Sequence, residues 1–249
     1  MILKLENISK YYPVEKGLFE TGSKKIKALD DVSLSVNEFE TLGLVGESGS
    51  GKTTLAKIIL NLIAPSSGRV LFNPDKITRF RKDVQIIFQN PYSSLDPKMR
   101  VSDIIAEPLK LHAIVPRQRI EARVIELLKT AGLDKDILGR YPFEFSGGQR
   151  QRICIARAIA CEPKFIVLDE PISSLDLTVQ SQMIDLFLAL KRKFGLTYIF
   201  ISHNLAVIKH LADSVAVMKE GRIMEKNDTG SLFSSPVDAY TKLLLKAVS

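Results

Sequence analysis

Residues 1–12, MILKLENISKYY, and 26–36, IKALDDVSLSV, alternate apolar and polar positions, the period-two pattern of strands with one face in a core. A polar, glycine-containing connection separates them, so an antiparallel opening is expected. Residues 40–68, ETLGLVGESGSGKTTLAKIILNLIAPSSG, then run as strand, glycine-rich loop and helix, the helix closed before Pro65 by a Pro-Ser-Ser-Gly turn. Short strands are expected at 69–72 and 83–88. Residues 102–132 read as helix, because Ile120, Val124, Leu127, Leu128 and Ala131 fall on one stripe that ends at Gly132. After residue 160, the apolar runs FIVLD, TYIFIS and SVAVM are separated by helical stretches, as in a parallel sheet covered on both faces. The pattern predicts an α/β fold. With no internal repeat and no low-complexity linker, residues 1–249 read as one domain carrying an inserted helical lobe at about 90–160.

The 249 residues are 45% hydrophobic, enough for an independent core, and the formal charge of +7 suits a nucleotide binder, a protein beside anionic lipid, or a nucleic-acid binder. The basic residues lie in short groups without interleaved aromatics, so they read as solvated surface rather than a nucleic-acid stripe. Cys154 and Cys161, on one helix, would stand about 10 Å apart along its axis, too far for a disulfide. No Cys-x-x-Cys pair points to zinc, and reduced core thiols in the cytoplasm are expected. No signal-peptide pattern and no apolar run of about 18–20 residues occurs, so any work at a membrane is expected to go through partners.

Gly46-Glu47-Ser48-Gly49-Ser50-Gly51-Lys52-Thr53, followed by Thr54, matches G-x-x-x-x-G-K-[ST] between a strand and a helix. Its backbone N–H groups are suited to wrap a triphosphate, with Lys52 on the β/γ oxygens and Thr53 on Mg²⁺. FIVLDE ends a buried strand in two carboxylates, which is costly unless something repays it. Asp169 fits a ligand orienting Mg²⁺ through its water shell, and Glu170 fits the base that positions and deprotonates an attacking water. TYIFISHN delivers His203 to the end of another strand, where an imidazole can contact a γ-phosphate. Gln89, after VQIIF, offers an amide to Mg²⁺ or the water. FEFSGGQ, residues 143–149, opens a helix with bare backbone N–H groups and no lysine, a second anion site far along the chain from the first.

Taken in order, the loop at 46–53, Gln89, Phe145-Ser146-Gly147-Gly148-Gln149, Asp169-Glu170, Ser173-Ser174-Leu175-Asp176 and His203 resemble the landmarks of the ATPase subunits of ABC transporters, over essentially the whole chain. Phe145 and Ser174 stand where that family more often has leucine and alanine. The resemblance implies a RecA-like P-loop NTPase core with an antiparallel β subdomain and an inserted α-helical subdomain. It also implies ATP and Mg²⁺, with Gln89, Asp169 and Thr53 toward the metal and Gln89, Glu170 and His203 in the catalytic set. Two such domains pack head to tail in the family, so Ser146, Gly147, Gly148, Gln149 and Asp176 are expected to meet the nucleotide held by a partner's phosphate loop. For adenine the family uses an aromatic two positions past a lysine at the end of the first strand, here Tyr12 after Lys10, with Tyr11 as the alternative; such stacking is worth about 1–3 kcal/mol.

YPVEKGLF, FQNPYSSLDPKMRV and SSPVDAYTKLLLKA resemble segments of the oligopeptide, dipeptide and nickel importers. Asp238 and Ala239 depart from the His-Pro usual there, and the chain stops before a cysteine-bearing tail, so no iron–sulfur cluster is expected. Peptide import is favoured over nickel. The resemblance further implies a second ATPase subunit (a paralog or a second copy), two permease subunits, an extracytoplasmic substrate-binding protein, and a peripheral position on the cytoplasmic face of the membrane. Tyr92, Leu95 and Met99 are candidates to receive a permease helix. Soluble ABC-type ATPases acting on DNA or ribosomes carry coiled coils, zinc cysteines or tandem domains that this sequence lacks, so no nucleic-acid partner is expected. A nucleotide kinase would leave Ser146 to Gln149 and the Asp176 loop unexplained.

Overall fold

The computed structural model describes residues 1–13 and 25–246. Part of the YPVEKGLF segment therefore lies outside the described residues. In chain order the elements are β1 (Leu3–Pro13), β2 (Lys25–Val36), β3 (Thr41–Val45), α1 (Lys52–Ile59) and β4 (Ser67–Phe72). Then come α2 (Phe80–Asp83), β5 (Val84–Ile87), α3 (Pro91–Ser94), α4 (Val101–Leu111), α5 (Ile120–Thr130), α6 (Gly147–Ala160) and β6 (Phe165–Asp169). The chain ends with α7 (Leu177–Phe194), β7 (Thr197–Ile201), α8 (Leu205–Leu211), β8 (Ser214–Lys219), β9 (Arg222–Asp228), α9 (Thr229–Ser234) and α10 (Ala239–Lys246). These elements fall into two compact units, Met1–Lys76 with Ile199–Ser249, and Ile77–Tyr198.

In the first unit the expected antiparallel opening forms: β1 pairs with β2 from Leu3↔Val36 to Pro13↔Lys25, and β4 pairs antiparallel on the other side of β1. Strict alternation along β1 would turn Asn7 inward after Leu3 and Leu5. Instead Asn7 adopts φ 51, its amide donates to Asp31 Oδ1 at 2.8 Å, and Ile8 takes the fully buried position. The bulge thus keeps an apolar side chain in the core, worth about 1.5–3 kcal/mol. A second sheet in this unit runs β7-β3-β8-β9, with β3 and β8 parallel from Leu42↔Ser214 and β9 antiparallel to β8. All five residues of β3 are buried, which explains why that strand reads as a continuous apolar run.

In the second unit β5 and β6 are parallel, Val84↔Phe165 to Ile87↔Leu168. Helices α4, α5 and α6 pack on one another, and Val124, Leu127, Leu128 and Ala131 are buried as their stripe predicts. The single helix expected over 102–132 is in fact two. The stripe from Ile120 to Ala131 lies in α5 and its C-cap, while Ala113 turns to φ 49 and the Ile114 N–H donates to Leu109 O at 3.0 Å, closing α4 with a Schellman-type end. Pro116, without an N–H, then stands before the 3₁₀ turn that leads into α5. The expected stop at Gly132 is present, at φ 75 with Leu133 N–H on Leu128 O.

Cys154 lies in α6 and Cys161 caps it; both are buried free thiols. Burial pushes each up to about 11, so they stay protonated at neutral pH. Among the described residues no helix is long and apolar enough to cross a membrane.

Candidate functional site

The glycine-lysine loop joins β3 to α1 in the first unit. Its turn depends on backbone that side chains disfavour: Gly46 lies at φ 152 and Gly51 at φ 105. A methyl group on Gly46 would stand 2.1 Å from the Met218 carbonyl oxygen, so the loop rests directly on β8. Gly46→Ala is accordingly expected to destabilise the protein by about 2 kcal/mol or more, read as a drop in thermal midpoint; an unchanged midpoint contradicts the packing described. The loop is further held by Gly221, whose N–H donates to Ser50 O at 3.0 Å and whose carbonyl accepts from Asp30 N–H at 2.9 Å. Gly49, at φ 81, is different: a Cβ there would meet nothing within 4 Å. The loop therefore has one side pressed against the sheet and one side open.

Lys52, 6% exposed, turns its ammonium back into this loop, donating to Gly46 O and Glu47 O at 2.8 Å each and reaching Ser50 Oγ at 3.2 Å. A cation curled among its own loop's oxygens fits a site built for an anion, because phosphate oxygens can replace those acceptors. Thr53 and Thr54 begin α1, with Thr53 exposed. His203 is exposed just after β7, and the Ser202 N–H donates to Leu44 O at 3.3 Å, which ties the end of β7 to the strand that leads into the loop. Tyr12 and Tyr11 are 36% and 37% exposed, with Lys10 Nζ 5.3 Å and Lys27 Nζ 5.9 Å from their respective ring centroids. Both rings offer a face, so the stacking residue is not distinguished by exposure.

In the second unit the register Ile87↔Leu168 carries the chain on to Gln89 and Glu170, two residues past the ends of the pairing. The result is direct: Gln89 Nε2 donates to Glu170 Oε2 at 3.2 Å and to Ser173 Oγ at 3.3 Å, and the Ser173 hydroxyl donates to Glu170 O at 3.1 Å. Glu170 sits at φ 47, a conformation a non-glycine residue adopts only under constraint. Asp169, 8% exposed, ends β6 beside it. Sequence reasoning had Gln89 and Glu170 as separate candidates and gave Ser173 no role of its own; the three form one cluster. Parallel strands of matched register were the available signal.

Ser146 is the N-cap of α6 in a reciprocal capping box: its Oγ accepts from Gln149 N–H at 3.3 Å while Gln149 Oε1 accepts from Ser146 N–H at 3.0 Å. The Ser146 hydroxyl still has a proton to donate outward. A Cβ on Gly148 would be 2.9 Å from Val179 Cγ1, and one on Gly147 would be 3.6 Å from Leu175 Cδ2. Asp176 caps α7 by accepting from Val179 N–H at 2.9 Å. The Ser146–Gln149 and Ser173–Asp176 motifs are thus neighbours on one surface of this unit.

Of the residues expected to receive a permease helix, Leu95 is 3% exposed and cannot offer a surface; its apolar side chain fills the core of the lobe. Tyr92 is 64% exposed, yet one ring face is covered by the Arg150 guanidinium 3.5 Å from its centroid. Arg150 also donates to Pro142 O at 2.7 Å, and Arg157 donates to Ser94 O, so two arginines of α6 hold the α3 turn that follows Gln89. Neither arginine was singled out from sequence.

The ABC transporter family model matches residues 29–173. The oligopeptide transport ATP-binding protein OppF of Lactococcus lactis is 44% identical, aligned over 99% of this chain and 80% of that protein. AppF of Bacillus subtilis, of the same description, is 43% identical over 99% of this chain and 78% of its own length. The glutathione import ATP-binding protein GsiA of Escherichia coli is 44% identical, but the chain spans 41% of it. Among solved structures, the dimeric ATP-binding cassette MJ0796 in a post-hydrolysis state with ADP and Pi superposes with a TM-score of 0.77 at 28% identity, covering 92% of this chain and 99% of that one. CbiO1 of Clostridium perfringens, part of the ABC transporter complex cbiONQ, gives 0.77 at 27% identity, covering 94% and 91%. The α/β fold, with its antiparallel β sheet and its helices, is that of an ABC ATPase cassette. On the family match, the relatives and the fold together, this chain belongs to the ABC transporter family.

Proposed function

We propose that this chain binds and hydrolyses ATP to energise an ABC importer of oligopeptides. The observation that carries the reading is the loop at 46–53: an ammonium held among the loop's own oxygens, beside a glycine that faces open space. The names of OppF and AppF, both oligopeptide transport ATP-binding proteins, support the cargo class.

In this reading Lys52 leaves the Gly46 and Glu47 carbonyls for the β/γ oxygens of ATP, and the loop from Gly46 to Thr54 wraps the phosphates through backbone N–H groups. Thr53, Gln89 and Asp169, an oxygen-only donor set, would hold Mg²⁺, which neutralises phosphate charge when bound. Glu170 takes the proton of the attacking water, positioned by Gln89 and Ser173, and His203 contacts the terminal phosphate. Tyr12 stacks on adenine. Ser146, Gly147, Gly148, Gln149 and Asp176 serve the nucleotide of a second ATPase subunit packed head to tail, an arrangement supported by the dimeric form of the MJ0796 cassette. The whole chain, 1–249, then works as one domain with its helical lobe at about 90–160, peripheral to the cytoplasmic face of the membrane. Two permease subunits and an extracytoplasmic binding protein complete the importer, and Tyr92 and Met99 remain candidates for the permease contact.

Lys52→Ala tests the core of this reading. Losing one charge-assisted contact to phosphate is expected to weaken ATP binding by about 10–100-fold in a titration. Undiminished affinity would remove the loop from phosphate binding.

A further inference from the structure

We propose that the C-terminal helix α10 is part of the nucleotide site, with Tyr240 as a positioning residue that braces the phosphate loop at Glu47. The Glu47 N–H donates to the Tyr240 hydroxyl at 3.4 Å, a contact between positions 193 residues apart, and Tyr240 is 7% exposed. The ring has a partner as well. Lys219 Nζ lies 4.7 Å from its centroid, and Lys219 follows Met218, whose carbonyl oxygen is the surface on which Gly46 rests. Tyrosine and loop are therefore anchored to the same end of β8.

The start of α10 is itself fixed. Glu225 on β9 accepts the N–H groups of Val237 and Asp238 at 3.0 Å each, and Asp238 Oδ1 accepts those of Tyr240 and Thr241 at 2.8 and 3.1 Å. Burial alone would raise the Glu225 carboxyl, but these donors outweigh it and hold the group below its usual range, charged at neutral pH. A short chain of hydrogen bonds thus runs from β9 through the cap of α10 to the loop.

The brace has a function because of where Lys52 now lies. Its ammonium supports the loop through Gly46 O and Glu47 O. When it turns to phosphate, that internal support is given up, and the segment at Gly46 and Glu47 must keep its shape by other contacts. Tyr240 supplies one, which lowers the cost of ordering the loop around nucleotide.

The inference rests on the reading of residues 46–53 as the phosphate loop, and the test separates the two. Tyr240→Phe keeps the ring on Lys219 and removes only the hydroxyl. With magnesium ADP as probe, its dissociation constant is expected to rise about threefold to tenfold, the worth of one hydrogen bond. The KM for ATP should rise in step, with a smaller change in kcat. Asp238→Ala, which uncaps α10, should move affinity the same way. The thermal midpoint of Tyr240→Phe without nucleotide should stay within about 2 °C, as for a surface-scale change. An ADP affinity within twofold of the parent chain overturns the proposal, whether or not the midpoint falls. Lys52→Ala measured alongside tells which idea failed: if it loses ADP while Tyr240→Phe does not, only the brace is wrong; if it keeps full affinity, the loop reading fails and the brace with it.

Discussion

Glu170→Gln is expected to lower ATP turnover by about 10²–10⁴, the usual value of a general base, while ATP binding persists and a closed dimer accumulates. The substitution is nearly isosteric. The glutamine carbonyl can still accept from Gln89 Nε2, which now donates to Glu170 Oε2 at 3.2 Å, so the cluster with Ser173 has no steric reason to rearrange. What is lost is the ability to take a proton from water at the place where the φ 47 backbone holds the side chain. Turnover measured beside nucleotide binding and sedimentation distinguishes this from misfolding. Unchanged turnover would take Glu170 out of that role.

The second large effect is expected from Ser146→Arg, which should abolish turnover of a homodimer yet leave the ATP affinity of the isolated chain within about threefold. Ser146 caps α6, and loss of the cap costs about 1 kcal/mol, too little to unfold a domain of ordinary stability. The damage would come from the arginine filling the space where the cap presents its amides outward. The change alters no residue of the chain's own loop at 46–53. Ser146→Ala supplies the comparison, since it loses the cap without the bulk. If Ser146→Arg weakens ATP binding as strongly as it weakens turnover, the motif does not serve a partner's nucleotide.

Much of this site is legible in the sequence because its chemistry is local. The loop at 46–53 needs glycines at set positions and a lysine at its end, and no tertiary information is required to see that. Ser146 with Gln149 spells a capping box within four residues. Contacts made by distant residues are less visible. Gln89 and Glu170 are recognisable as candidates, but their pairing depends on the parallel register of β5 and β6. The helix expected over 102–132 is two because the stripe behind that expectation, Ile120 to Ala131, lies wholly after the break that Ala113 and Pro116 make. Leu95 is a permease-contact candidate only through the family resemblance, which cannot tell which side chains of the segment packing buries. Tyr240 lies in a segment legible only as a resemblance to importers: nothing in DAYTKLLLK tells that one hydroxyl reaches Glu47.

The account turns on shared pockets, each completed by a second chain. The most direct test is the specific ATPase activity of the purified chain measured from dilute to concentrated solution, with sedimentation on the same samples. Activity per chain should climb with concentration and follow the dimer fraction. Full, constant activity in samples that sediment as monomer would contradict it.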